Sequence, residues 1–232
     1  AARWESTAKK IRGSLRGLWN HARQAYPDSL PSDASRASRF SVHTQFLALL
    51  HGGDEQETAR LLDLVANPPS DFATIASPFA LQFLYEAWEK HGRCAEIVDS
   101  IRTVYGAMLA QGADTFWEAL PGSATSPEGF PTRSHCHGWA AAPMYFLPRI
   151  VLGIRQTAPG GKGYTVRPFV GGLDEASGAV AGALGPVEVS WRKFGGQLLV
   201  KIRHPKDSNV VFEKDPSVDT DGLQPQVEFI PH

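Results

Sequence analysis

Apolar residues recur at three- and four-residue spacing through the N-terminal part of the chain and alternate in its C-terminal third, and the period changes near Gly153. Ala8, Ile11, Leu15, Leu18, Trp19 and Ala22 lay one stripe along a first predicted helix, which Tyr26-Pro27-Asp28 ends. A Ser/Pro/Asp-rich loop is expected from there to Ser38. Phe40 to His51 reads as a second helix stopped by Gly52-Gly53, and Asp54 caps a third that runs through Ala59, Leu62 and Val65 to Pro68-Pro69. Ser77-Pro78 is a cap residue followed by proline at the first helical position, so a fourth helix is expected up to Gly92, with Phe79, Phe83, Leu84, Ala87 and Trp88 facing inward. Ile97, Ile101, Tyr105 and Met108 define a fifth helix ending at Gly112. A sixth spans Trp139 to Leu152, where Pro143 and Pro148 must kink or shorten it. Short and long connections alternate between them, which is the rhythm of paired helical hairpins.

Beyond Gly153 the reading is all-β. Tyr164, Val166 and Pro168 alternate with Thr165, Arg167 and Phe169; Val187, Val189 and Trp191 alternate, as do Leu198, Val200 and Ile202. Gly195-Gly196 between the last two runs is a hairpin signal, and Val210 to Phe212 and Val227 to Phe229 add short strands. Gly160-Gly161-Lys162-Gly163 precedes a strand and fits no phosphate-loop spacing, so it reads as a hinge. The strand number suits a small antiparallel β-sandwich.

Composition narrows the chemistry. A formal net charge of -1 with no basic run argues against nucleic acid or an anionic membrane as partner. Two cysteines, Cys94 and Cys136, allow one bridge but exclude a disulfide scaffold. No apolar run spans a bilayer and no targeting segment is present, which leaves the compartment open between secreted and cytoplasmic. The chain opens without Met in helical sequence, as a piece of a longer protein would.

The densest chemistry lies in Asp114-Thr115-Phe116-Trp117-Glu118 and in Arg133-Ser134-His135-Cys136-His137-Gly138-Trp139. Glu118 stands at the mouth of a loop, just before Pro121-Gly122, where backbone geometry can aim a carboxylate. Indole faces stack on sugar C–H surfaces while acids act on the glycosidic oxygen or the attacking water, although a lone Trp-Glu pair is more often structural. His135 and His137 flank Cys136, but no third and fourth ligands stand at compatible spacing, so neither a metal nor a cofactor is expected. A histidine bonding sugar hydroxyls and a packed histidine both remain open. His43, His51, His91 and His204 show no partner pattern, and neither Cys136 nor Ser134 has the context of a nucleophile.

Four blocks taken in order carry a resemblance: Gly112 to Glu118, Ser134 to Pro143, Val151 to Gly160 and Gly185 to Trp191. Together they resemble the C-terminal part of alpha-L-rhamnosidases of glycoside hydrolase family 78, over nearly the whole chain. The resemblance implies the second half of a six-hairpin (α/α)6 barrel over residues 1–157 and a C-terminal β-sandwich over 158–232. It implies inverting hydrolysis of terminal alpha-L-rhamnose from a rhamnose-containing glycoside. Glu118 matches the family's general base and His137 the histidine that contacts the sugar, while Trp117 and Trp139 would wall the site. The family's general acid belongs to an acidic, Arg- and Trp-containing segment with no counterpart here, so the missing N-terminal half of the barrel is the implied partner. Trp19, Phe83, Trp88 and Met108 are then expected to be bare where that half should pack. Two rivals stand beside this reading: a non-catalytic carbohydrate-binding protein, and a structural helical domain with an accessory sandwich.

Overall fold

The computed structural model describes residues 2–29, 38–51, 55–120 and 134–232. The helix stop at Gly52-Gly53, the cap at Asp54, most of the Ser/Pro/Asp-rich loop, Pro121-Gly122 and Arg133 lie outside the described residues. The chain divides into two compact units, 1–93 with 102–142 and 94–101 with 143–232.

The first unit is helical. Helix α1 (Ala2–Arg16) buries none of its residues. It ends earlier than its stripe predicts because the chain reverses: Asn20 and Ala25 pair in an isolated bridge, and the Asn20 side chain accepts the Arg23 N–H at 2.9 Å. Helices α2 (Val42–His51) and α3 (Glu55–Ala66) follow, and Ala25, Phe40, Leu64 and Phe72 form a shared apolar cluster. Gln45 lies fully buried within α2. Its amide oxygen accepts the Tyr26 N–H at 2.9 Å, while its nitrogen donates to the carbonyls of Tyr26 at 2.8 Å and Ser41 at 3.0 Å. A buried amide satisfied in this way costs little and fastens the preceding loop to the helix.

The fourth predicted helix begins as a 3-10 turn, Pro78–Ala80, and continues as α4 (Leu81–Lys90). Helix α5 (Cys94–Ala110) buries Ile97, Ile101, Tyr105 and Met108, the predicted stripe. Bareness of the four large apolar residues is corrected in part. Trp88 and Met108 are buried, Trp88 with its ring stacked on Tyr85 at 6.0 Å, and Trp19 and Phe83 are partly covered. Among the described residues, the exposed large apolar side chains of this unit are instead Trp4, Ile11 and Leu15 on α1, with Leu47, Phe79, Leu109 and Trp139.

Helix α6 (Ala142–Ile150), which belongs to the second unit from Pro143 on, is shorter than the predicted sixth helix, whose start is a separate 3-10 turn at Gly138–Ala140 in the first unit. Strands β1 (Ile154–Ala158), β2 (Gly163–Val166) and β6 (Asn209–Phe212) form one sheet in the order β1-β2-β6. The glycine-rich segment is the tight connection between the antiparallel β1 and β2. Strands β3 (Glu175–Val180), β4 (Val187–Phe194), β5 (Gln197–His204) and β7 (Gln224–Pro231) form the second sheet in that order, with the short helix α7 (Pro216–Thr220) before β7. The sheets are mostly antiparallel, but β2 with β6 and β5 with β7 run parallel.

The predicted alternation holds where it was strongest. Val189 stands opposite Ile202 and Trp191 opposite Val200, all on a buried face, and Gly195-Gly196 turn the hairpin with φ 58 and 74. Trp191 donates its indole N–H to the Val151 carbonyl at 2.8 Å, which satisfies the one polar atom of a buried ring.

Gly153 opens β1 at φ 74, and a Cβ there would lie 2.1 Å from the Arg167 carbonyl carbon. Gly153→Ala is therefore expected to destabilise the chain by more than about 1 kcal/mol, since neither the dihedral nor the opposing backbone can adjust cheaply. A urea unfolding midpoint equal to that of the parent would contradict this.

Candidate active site

The segment from Ala113 to Leu120 leaves α5 and forms no regular element, so its backbone bonds must be made elsewhere. They are made to two other segments of the first unit. The Glu118 N–H donates to the Ser134 carbonyl at 2.9 Å, and the Glu118 carbonyl accepts from the Ser77 hydroxyl at 2.6 Å. The Leu120 N–H donates to Ala76 at 2.9 Å, and the His137 N–H to Phe116 at 2.8 Å. Thr115 adds a hydroxyl bond to the His135 carbonyl. Ser134 folds its own turn, accepting the Cys136 N–H at 3.2 Å and donating to the Cys136 carbonyl at 3.1 Å.

The aromatic rings fall into two groups. Trp117 is buried, and its ring stacks on His135 with centroids 4.7 Å apart and planes at 19°. Trp139 is 72% exposed; it lies 5.4 Å from Phe79 and 5.9 Å from His137, edge-on to the latter. Of the residues singled out from sequence, Trp117 and Glu118 share one segment, and His137 and Trp139 lie on the segment hydrogen-bonded to it. Glu118 and His137 are partly buried and Asp114 is exposed. Ser77 and Phe79, which residue type and spacing do not mark as site residues, complete the arrangement with Thr115 and His135. Among the described residues no group of three or more His, Cys, Asp or Glu side chains converges as a metal cage would.

Tyr105 supports the site from α5. Its hydroxyl donates to the Ala140 carbonyl at 2.8 Å, and its ring meets Phe116 edge-on at 5.7 Å. Burial, and secondarily the neighbouring Tyr85, push the phenol well above its ordinary pKa, so it remains a neutral donor.

A family model for the bacterial alpha-L-rhamnosidase six-hairpin glycosidase domain matches residues 2–151, more than half of the chain. The chain belongs to the bacterial alpha-L-rhamnosidase family. The model for that family's C-terminal domain matches residues 153–213. Among solved structures the chain is similar to a family 78 rhamnosidase of Bacillus sp. GL1, at 33% identity and a TM-score of 0.87 over 96% of this chain. An alpha-L-rhamnosidase from Dictyoglumus thermophilum aligns at 20% identity and TM-score 0.68 over 90% of this chain and 23% of its own. The Streptomyces avermitilis enzyme, complexed with L-rhamnose, aligns at 16% and 0.57 over 73% of this chain and 17% of its own. These two likenesses speak to the fold. The chain spans 23% of the Bacillus protein's length. No curated protein sequence matches it significantly.

Tyr105→Phe removes the donor to Ala140 while keeping the ring. It is expected to cost about 1–3 kcal/mol, because a buried carbonyl loses its partner. Equilibrium unfolding of the two proteins checks this, and an unchanged free energy would remove Tyr105 from the supports of the 137–140 turn.

Proposed function

We propose that this chain is the base-bearing part of an inverting glycoside hydrolase that removes terminal alpha-L-rhamnose from rhamnosides. Membership of the rhamnosidase family supports the reaction class. The observation that carries the assignment of Glu118 is that both of its peptide groups are bonded to other segments, next to a buried indole stacked on an imidazole. A general base must meet one water in one direction, and a carboxylate on an unsupported loop could not do so.

In inverting hydrolysis one carboxylic acid protonates the departing glycosidic oxygen. A carboxylate on the opposite face takes a proton from water as that water's oxygen bonds to the anomeric carbon, and the two groups stand about 6.5–9.5 Å apart to leave it room. Glu118 takes the second role. His137, half-buried beside Trp139, is placed in this reading to hydrogen-bond sugar hydroxyls, and Trp117 and Trp139 to bound the site. Asp114 is exposed and precedes Glu118 in the same segment, which makes it a poor candidate for the acid. The acid is assigned to the N-terminal half of the barrel.

Glu118→Gln in the complete enzyme keeps the shape and removes the base, so kcat on an aryl rhamnoside should fall by ~10²–10⁴. His137→Ala should instead act mainly on KM, about tenfold for each ~1.4 kcal/mol of binding lost. A Glu118→Gln enzyme within about threefold of the parent would sink the assignment.

This chain expressed alone should show no turnover and should associate, since it offers one carboxylate of the pair and exposes Trp4, Ile11, Leu15 and Leu109. Addition of the N-terminal half should restore activity. Turnover by the isolated chain at a rate comparable with complete enzymes would overturn the division of acid and base.

A further inference from the structure

We propose that Ser77 is a positioning residue for Glu118: its hydroxyl holds the peptide carbonyl of Glu118 and thereby sets the direction of the carboxylate. The inference rests on the reading of Glu118 as general base. Three observations lead to it.

The first is the fate of a capping residue. Ser77 precedes Pro78 at the start of a helical turn, has extended backbone at φ -123 and ψ 132, and is of the residue type that normally accepts a bond from the turn it precedes. It makes no such bond. Its hydroxyl reaches across the chain to the Glu118 carbonyl at 2.6 Å, so the local use of the side chain has been given up for a tertiary one.

The second is the accounting of the loop. Glu118 belongs to no helix or strand, so no ladder fixes its backbone. Its N–H is held by Ser134 on one side and its carbonyl by Ser77 on the other, while the amide of Leu120, two residues on, donates to the Ala76 carbonyl. Ala76 and Ser77 therefore grip the stretch around Glu118 at two points. Only one of these two contacts, that of Ser77, comes from a side chain and can be deleted by substitution without touching the backbone.

The third is continuity with the rest of the site. Phe79, in the turn that Ser77 begins, lies against Trp139 at 5.4 Å, and Trp139 lies against His137. The segment that orients Glu118 thus also carries part of the aromatic surface beside the proposed sugar contact. The Ser77 hydroxyl bonds the Glu118 carbonyl, whereas the wall rests on the Phe79 ring, so deleting the hydroxyl should reach the base and leave the wall in place.

The effect should fall on the chemical step. Misplacing a catalytic group by about 1 Å can cost ~10²-fold in rate, whereas Ser77 touches no substrate and should leave binding alone. In the complete enzyme Ser77→Ala and the near-isosteric Ser77→Cys are expected to lower kcat by about ten- to a hundredfold with KM within about twofold, and Ser77→Thr, which keeps the hydroxyl, to retain most of kcat. In this chain, amide exchange at Leu120 and Glu118 should accelerate about tenfold in the Ala and Cys variants while amides of β4 and β5 stay unchanged. If Ser77→Ala does not fold, the Cys variant carries both measurements. Glu118→Gln in the same assay separates the two readings. Full activity of Glu118→Gln refutes the base and with it this inference, whereas an inactive Glu118→Gln alongside Ser77→Cys with unchanged kcat refutes the positioning role alone. A loss confined to KM, or equal acceleration of exchange throughout the chain, would also overturn it by making Ser77 a binding or a merely structural residue.

Discussion

The candidate site depends on how the chain satisfies backbone hydrogen bonds where it forms no regular structure. A buried or half-buried peptide group without a partner costs as much as a lost hydrogen bond, so an irregular segment keeps one conformation only when other segments accept and donate to it. The stretch that carries Trp117 and Glu118 meets this requirement through Ser77, Ala76 and Ser134, with His137 donating to Phe116 beside it. Gln45 does the same for the loop before α2, where one buried amide serves both the N–H and the carbonyl of Tyr26. The helices thus act as a scaffold, and side chains near their starts fasten the loops.

Much of the scaffold was legible because burial and periodicity are the same fact seen twice. Ile97, Ile101, Tyr105 and Met108 are spaced for one face of a helix and all four are buried; Val189, Trp191, Val200 and Ile202 alternate and all four lie on the inner side of β4 and β5. The missed elements lack such a signal. Strand β1, Ile154–Ala158, buries only its first residue, β3 carries Gly178 in its middle, and α7 is a single turn. The parallel pairing of β5 with β7 joins distant segments and leaves no local pattern to read. Residues expected to be bare failed differently, since apolar spacing shows that a face will be covered and not what covers it: Trp88 is covered and Ile11 is not.

The site shows the same division. Glu118, His137, Trp117 and Trp139 could be singled out by residue type and by family resemblance, and the structure places the two segments that bear them in hydrogen-bonded contact. Ser77 could not be found that way, because in sequence it is an ordinary cap before a proline and only the fold reveals that its hydroxyl is used elsewhere. Spacing alone leaves His135 open as a metal ligand or a sugar contact, yet its ring stacks on Trp117. Such supporting contacts are set by tertiary distance, which residue spacing does not encode.

Among the described residues, the backbone bonds of Glu118 and His137 to other segments run to Ser77, Ser134 and Phe116, inside one compact unit. These bonds fix the backbone of Glu118 through groups of this chain. The exposed stripe of α1 is a different case, because a helix that buries nothing gains little from its own hydrogen bonds and becomes stable when its apolar side is covered. A segment that packed on Trp4, Ile11 and Leu15 would therefore stabilise α1.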